Sequence, residues 1–308
     1  MVSKNNMWVI NNRKIFYGIS LVLIVISFVS LALWGLKPGI DFTGGTLIEI
    51  DYPAGRPDQA LVTSAISSID EAVSVRPFGA NAYIVRMKPI DLKEKAVVMS
   101  ALSLNTEAST TDQAVLKTFD SIGPVLGAEA LRKALVSIVL VILGIVLFIT
   151  FAFRKVSEPV SSWKYGLTAI IALVHDVIIP TGLFSILGHF YGYEVDTLFV
   201  TALLVILGFS VHDTIVVFDR VRENLRLSSS NKPFNEVVGQ SISQTIVRSI
   251  NTSMTTLIAL IVLYFVGGSS TEHFSLALIV GIAAGTYSSI FIGSALLVTI
   301  EKWGRKGK

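Results

Sequence analysis

Between Ile15 and Leu36 the chain runs for 22 residues without a charged side chain. That one feature limits the fold more than any other, because roughly 20 consecutive apolar residues are what a helix needs to cross a bilayer. It is also too long for the apolar part of a cleaved leader, and no convincing cleavage site follows, so it reads as a retained anchor. A second uncharged run, Ala134 to Phe153, is bracketed by Lys133 and Arg154. Composition agrees: 52% of residues are hydrophobic and only 15% are charged, against about 25% charged in soluble domains. With no cysteine in the chain, disulfides and thiolate metal sites are excluded. The net charge of +3 gives no reason to expect nucleic acid.

The expected fold is a polytopic α-helical membrane protein with six transmembrane helices. The spans are placed at 15–36, 131–153, 165–190, 197–218, 246–266 and 274–300. An N-terminal segment at 1–14, a loop at 219–245 and a tail at 301–308 complete one side. Lys and Arg accumulate there: Lys4, Arg13 and Lys14; Arg154, Lys155 and Lys164; Arg220, Arg222, Arg226 and Lys232; Lys302, Arg305, Lys306 and Lys308. The short loops near 191–196 and 267–273 have none. This asymmetry places both termini in the cytoplasm.

Parity then puts residues 37–130 outside, as the one large polar piece. "TLIEIDY" predicts a strand and "PDQALVTSAISSID" a helix opened by Pro57 and Asp58. "AVSVRPF" and "AYIVRM" predict a hairpin turning through Gly79, Ala80 and Asn81. "DLKEKAVVMSALSL" predicts a helix and "AVLKTFDSI" a last strand. The order β-α-β-β-α-β suggests an α+β, ferredoxin-like split βαβ unit. Ahead of it, "GIDFTGGT" has two glycines that could cradle a phosphate, but no Lys-Ser/Thr follows as a P-loop requires. A tight turn from membrane into domain is the preferred reading. After it, Gly123-Pro124 breaks the chain before the second span.

Candidate functional residues lie inside the spans. An acid at a helix centre costs about 2.5–3.5 kcal/mol to insert, so it is expected to face a bundle interior or water. Asp176, in "ALVHDVIIPTG", shares a face with Thr168, Ala172 and Pro180. Asp213 lies six residues before Asp219, and Arg248 lies near the start of the fifth span. At about 1.5 Å per residue, Asp213 and Arg248 both fall in the inner half of the bilayer, so a contact is geometrically allowed. Arg248, Thr252, Thr255 and Thr256 form one stripe, expected to line an interior path. The Asp213–Arg248 pair is either an ion pair that fixes helix register or a site that handles protons or ions. The second reading is preferred, because ionisable groups inside a bilayer are functional by default. His212 and His175 are either titrating partners or packed bystanders. Gly281, Gly285, Ser289 and Gly293 repeat every fourth residue and are read as helix packing. No metal or cofactor is expected.

Rival classes are weaker. Asp176 and Asp213 could form an aspartyl protease dyad, but the Gly-x-Gly-Asp sequence of presenilin-like proteases is absent. Ser210, His212 and Asp213 on one helix cannot converge as a triad. A half of an RND-type small-molecule or lipid exporter, or a passive assembly factor, remain as alternatives.

The stretches "GIDFTGGT", "SIGPVLGAEALRKAL", "LVHDV", "GFSVHDTIVVFDRVRENLR" and "RSINTSMTTL", in that order, resemble the SecF subunits of bacterial SecD–SecF complexes, relatives of the RND superfamily. The resemblance implies a multi-pass protein of the bacterial inner membrane. It also implies a SecD-like partner, the SecYEG channel, with YajC as a further candidate partner, and unfolded exported polypeptide as cargo within the membrane lipid. The activity implied is proton-driven promotion of protein export, not enzymatic catalysis, and sodium is not excluded as the coupling ion. Asp213 and Arg248 match the family's proton-path Asp and Arg. Asp219 and Arg220 match its "FDR" segment at the cytoplasmic edge. The family usually has Asn where this chain has His212.

Overall fold

A computed structural model describes residues 7–103, 114–152, 162–227 and 232–306. The chain divides into two compact units, Pro38–Leu135 on one hand and Met1–Lys37 with Val136–Lys308 on the other.

The first unit holds α3 (Ile40–Thr43), β1 (Gly45–Asp51), α4 (Gln59–Ser67), β2 (Ser74–Phe78), β3 (Ala82–Met87), α5 (Leu92–Leu102) and β4 (Val115–Ile122). The expected order β-α-β-β-α-β is therefore present. The sheet is antiparallel with strand order β2-β3-β1-β4. Local chemistry sets the ends of its elements. Asp58 caps α4 by accepting from Ala60 N at 2.9 Å. Asp91 and Glu94 close a reciprocal capping box on α5. Gly79 turns the hairpin at φ 55°. Ile48, Ile50, Val62, Ile66, Val85, Val98 and Leu102 are sealed from solvent between sheet and helices.

The glycine pair of "GIDFTGGT" has a steric explanation. Gly44 and Gly45 adopt φ 73° and 132°, where a Cβ is strained. A Cβ on Gly44 would also meet Pro124 Cα at 2.7 Å. A Cβ on Gly127 would meet Gly44 N at 2.8 Å and Phe42 O at 3.0 Å. The strand's entry and the next helix's start cross backbone against backbone, as a tight turn requires and a phosphate cradle does not.

The second unit is helical. It contains α1 (Trp8–Asn11), α2 (Arg13–Trp34), the larger part of α6 (Pro124–Ala152), α7 (Ser162–Tyr191), α8 (Thr197–Leu227), α9 (Phe234–Val266), α10 (Ser269–Ser288) and α11 (Ser294–Lys306). A π-turn at Ser289–Gly293 joins α10 to α11. Among the described residues, six helices are long and apolar enough to cross a membrane. Several outrun the expected spans: α6 begins at Pro124, α7 runs from Ser162 to Tyr191, α8 continues to Leu227, α9 begins at Phe234, and the sixth runs from Ser269 to Lys306. The expected loop 219–245 is therefore mostly helix. Asn224 binds α8 to α9 by donating to Ser241 Oγ and Gln244 Oε1, both at 2.8 Å. Arg220 Nε adds a bond to Gln244 Oε1 at 2.6 Å. Phe153 and residues 154–161 lie outside the described residues.

Lipid is as apolar as leucine, so spans associate by close packing and hydrogen bonds rather than by escape from water. Small residues do this work here. A Cβ on Gly182 of α7 would collide with Ser27 of α2, and one on Gly281 of α10 with Ile206 of α8. Gly285 lies against Ser210, and Gly293 faces Ala172 and Phe218. Gly281, Gly285 and Gly293 thus each lie close to a neighbouring helix. The sixth span is 61% buried across its most apolar window, whereas the second is 6% buried.

Candidate functional site

Asp176, Asp213 and Glu301 are the buried acids among the described residues of the helical unit, and the first two, deep within the spans, have different surroundings. Asp176 is 0% exposed at mid-α7. Its Oδ1 lies 2.7 Å from His175 Nδ1. Its Oδ2 accepts from Ser288 Oγ at 2.7 Å and from Ser210 Oγ. His175, 2% exposed, reaches Ser20 Oγ of α2 through Nε2 at 3.1 Å. Its ring stacks on Tyr287 with centroids 6.2 Å apart, and Tyr287 OH donates to Phe16 O at 2.9 Å. Thr168, Ala172, Asp176 and Pro180 are all buried, so the expected shared face of this span exists.

Asp213 is 3% exposed on α8. The α9 side chains facing its carboxyl are Ser249 and Ser253. Its Oδ2 is buried without a hydrogen-bond partner, and so is Ser249 Oγ. Ser253 accepts from Thr286 Oγ1 at 2.6 Å and donates to Ser249 O at 2.9 Å. A buried carboxyl oxygen without a donor is costly. It becomes comfortable when a proton, a water or a partner's donor arrives.

The arrangement of α9 corrects one expectation. Arg248, Thr252 and Thr255 are exposed on this chain, and Thr256 is half-buried. The threonine hydroxyls return to their own helix backbone, Thr252 to Arg248 O at 3.0 Å, Thr255 and Thr256 to Thr252 O at 2.8 and 3.2 Å. The stripe does not line the interior of this bundle. The inward stripe is one residue further on, where Ser241, Thr245, Ser249 and Ser253 are all buried. A run of small hydroxyl residues every fourth position was the signal that would have found it. His212 is exposed as well, turned away from Asp213, as adjacent residues on a helix must be. No salt bridge joins Asp213 to Arg248 among the described residues. The protease dyad is also absent as a geometry: Asp176 spends its oxygens on His175, Ser210 and Ser288.

At the end of the fourth span Asp219 pairs with Arg222 at 2.5 Å, and Arg220 pairs with Glu223. These bonds, with those from Asn224 and Arg220 to α9, stiffen the helical extension. They do not reach Asp213.

Six spans, a four-stranded α+β unit between the first two, and carboxyl groups sealed among helices define a multi-pass membrane protein built around intramembrane acids. Comparison with known proteins makes this specific. Residues 103–303 match the family "Protein export membrane protein SecD/SecF, C-terminal", and residues 29–52 match the "SecD/SecF GG Motif". "Protein translocase subunit SecF" of Thermobaculum terrenum is 44% identical over 300 residues, covering 94% of this chain and 92% of that protein. The SecF of Pseudomonas aeruginosa is 37% identical over 290 residues, covering 94% and 90%. The crystal structure of SecDF from Thermus thermophilus, a translocon-associated membrane protein, superposes with a TM-score of 0.80 at 29% identity. That match covers 95% of this chain but 38% of the longer SecDF chain. The chain belongs to the SecD/SecF protein-export family, on its SecF side, and is a multi-pass protein of the bacterial inner membrane.

Proposed function

We propose that the protein works with a SecD-type partner, using the proton motive force to promote protein export, and that Asp213 is the group that takes up and releases the proton. The observation that carries this reading is the contrast between two surfaces of α8 and α9. Inward, Asp213 presents a sealed carboxyl oxygen with no donor. Outward, Arg248, Asn251, Thr252 and Thr255 on α9 and Thr201 and His212 on α8 are exposed. Polar side chains at membrane depth need protein or water against them. A second helical half lying on this face supplies that cover. It also brings its own polar groups to within reach of Arg248 and His212. The 38% share of the SecDF chain leaves room in that solved protein for such a half.

Protonation of Asp213 removes a charge from the α8–α9 contact and lets the helices re-seat against the partner. A charge falling through 100 mV releases about 2.3 kcal/mol, enough to shift a two-state equilibrium roughly fiftyfold. His212, Thr252, Thr255 and Thr256 lie on or beside the covered face, where they can order water leading to the acid. The basic segments place both termini in the cytoplasm. The β-α-β-β-α-β unit, with its β2-β3-β1-β4 sheet, then lies outside as a ferredoxin-like domain. There it would meet emerging polypeptide near the SecYEG channel.

The test is export into sealed vesicles, with and without a proton gradient, using Asp213→Asn and Arg248→Met in the assembled complex. The gradient-dependent part is expected to vanish in the first and fall strongly in the second. Full gradient dependence in both would overturn the reading.

A further inference from the structure

We infer that Asp176 is a positioning residue for Asp213, the centre of a hydrogen-bonded hub that ties the helix of the proton-binding acid to the first span. This rests on the reading of Asp213 given above. The hub joins four helices through one carboxylate. Asp176 sits on α7, Ser210 belongs to α8, Ser288 to α10, and His175 passes the connection to Ser20 on α2. Tyr287 makes a second link to α2, stacking on His175 and donating to Phe16 O.

Chemistry gives the hub a defined state. An ionised carboxylate only accepts hydrogen bonds, with about four lone-pair positions over its two oxygens. Asp176 uses three of them: two hydroxyls at Oδ2 and the imidazole Nδ1 at Oδ1. The other ring nitrogen, Nε2, lies 3.1 Å from Ser20 Oγ. Every member is satisfied, which is the condition under which a buried polar network fixes one arrangement of its helices. Asp213 has the opposite condition, and it follows Ser210 by three residues, about one turn along α8.

The backbone is shaped to the hub. The π-turn Ser289–Gly293 begins directly after Ser288, and Ser294 Oγ donates to Ser289 O at 3.0 Å across it. A π-turn inserts extra backbone into a helix and recurs at functional sites. Here it follows the turn that carries both Tyr287 and Ser288 to the hub. On α8, Gly285 of the facing helix lies against Ser210, so the two helices meet closely at this level. The first span leads in sequence into the outer domain within a few residues of Trp34. A shift of α8 on proton binding is therefore felt at Ser210, at the Asp176–His175 pair, and at Ser20 and Phe16 of the span that leads outward.

The experiment uses the full chain assembled with its SecD-type partner in vesicles. Aspartate labelled at the carboxyl carbon is followed by infrared absorption of the protonated form across pH. Asp176→Asn and Ser210→Ala are compared with the unmodified complex. Ser210→Ala keeps the charge of Asp176 but cuts its bond to α8, so a response there is positional and not Coulombic. Both variants are expected to move the midpoint of the Asp213 signal by about one pH unit and to lower gradient-driven export about tenfold. Unchanged midpoint and export in Ser210→Ala, with complex yield preserved, would overturn the inference, as would a loss of thermal stability with an unmoved midpoint. If Asp176→Asn does not assemble, Ser210→Ala decides alone. Asp213→Asn separates the two ideas. If export stays gradient-driven in that variant, the reading of Asp213 fails, whatever the hub variants do.

Discussion

Asp176 and Asp213 are the same residue type, equally hidden, on neighbouring spans of one bundle, yet they have opposite surroundings. Asp176 has donors at both oxygens, supplied by three helices. Asp213 has an oxygen with none and faces a serine that is itself unpartnered. Burial alone therefore does not mark a working acid. A carboxylate that has accepted all its neighbours offer is a fastener. One left short of donors can gain a proton without breaking anything.

Replacing each acid by leucine should expose the difference most strongly. Asp176→Leu strands two hydroxyls and an imidazole, each worth about 1–3 kcal/mol when left buried and unpaired. Thermal unfolding of the purified chain is expected to show a loss of about 3 kcal/mol or more. Asp213→Leu leaves Ser253 its bonds to Thr286 and to Ser249 O, and its unfolding should stay within about 1 kcal/mol of the original. Equal losses at the two sites would erase the distinction.

A smaller effect is expected where packing, rather than charge, sets helix spacing. Gly281→Val drives methyl groups into Ile206, and overpacking of this kind typically costs about 1–3 kcal/mol. Since Gly281 lies one turn from Gly285 and its Ser210 contact, the variant should also disturb the hub more than Asp213, visible as a changed His175 ring signal in NMR. Where α8 runs beyond its apolar span, Asn224→Ala loses two hydrogen bonds to α9. It is expected to cost about 1 kcal/mol and to leave both acids unaffected.

The α+β unit supplies a control without any membrane acid. Tyr52, whose OH donates to Leu102 O at 3.0 Å, is pushed up to about 12, first by burial and then by the neighbouring Tyr83. A raised folded pKa means the contribution is complete below about pH 10, the ordinary tyrosine value, and is lost as pH rises toward 12. Denaturant unfolding of the full chain should show this unit weakening over that window, and Tyr52→Phe should reduce the weakening. The window is far from any in which Asp213 would serve a cell.

Much of this was legible in the chain itself. Six spans follow from long apolar runs, some carrying polar intrusions, and the strand–helix order of the α+β unit follows from period and turn residues. Asp176 and Asp213 stand out because acids are expensive in lipid. The facing of α9 was not legible in the same way. Arg248 drew attention to its own stripe, whereas the inward surface belongs to Ser249 and Ser253, one position along, and small hydroxyls carry little signal singly. Ser20 and Ser288 were invisible for the same reason: their importance comes from meeting Asp176 and His175 across helices 112 and 155 residues apart in sequence. The helical continuation of α8 to Leu227 and of α9 back to Phe234 carries no apolar-run signal, because its residues are largely charged and polar.

The account turns on which acid changes its protonation. In the assembled complex with carboxyl-labelled aspartate, infrared spectra recorded as pH is lowered should show one intramembrane carboxyl gaining a proton. That signal should be absent in Asp213→Asn and present, though displaced, in Asp176→Asn. A signal that survives Asp213→Asn and disappears in Asp176→Asn would contradict it, making the fastened acid the carrier.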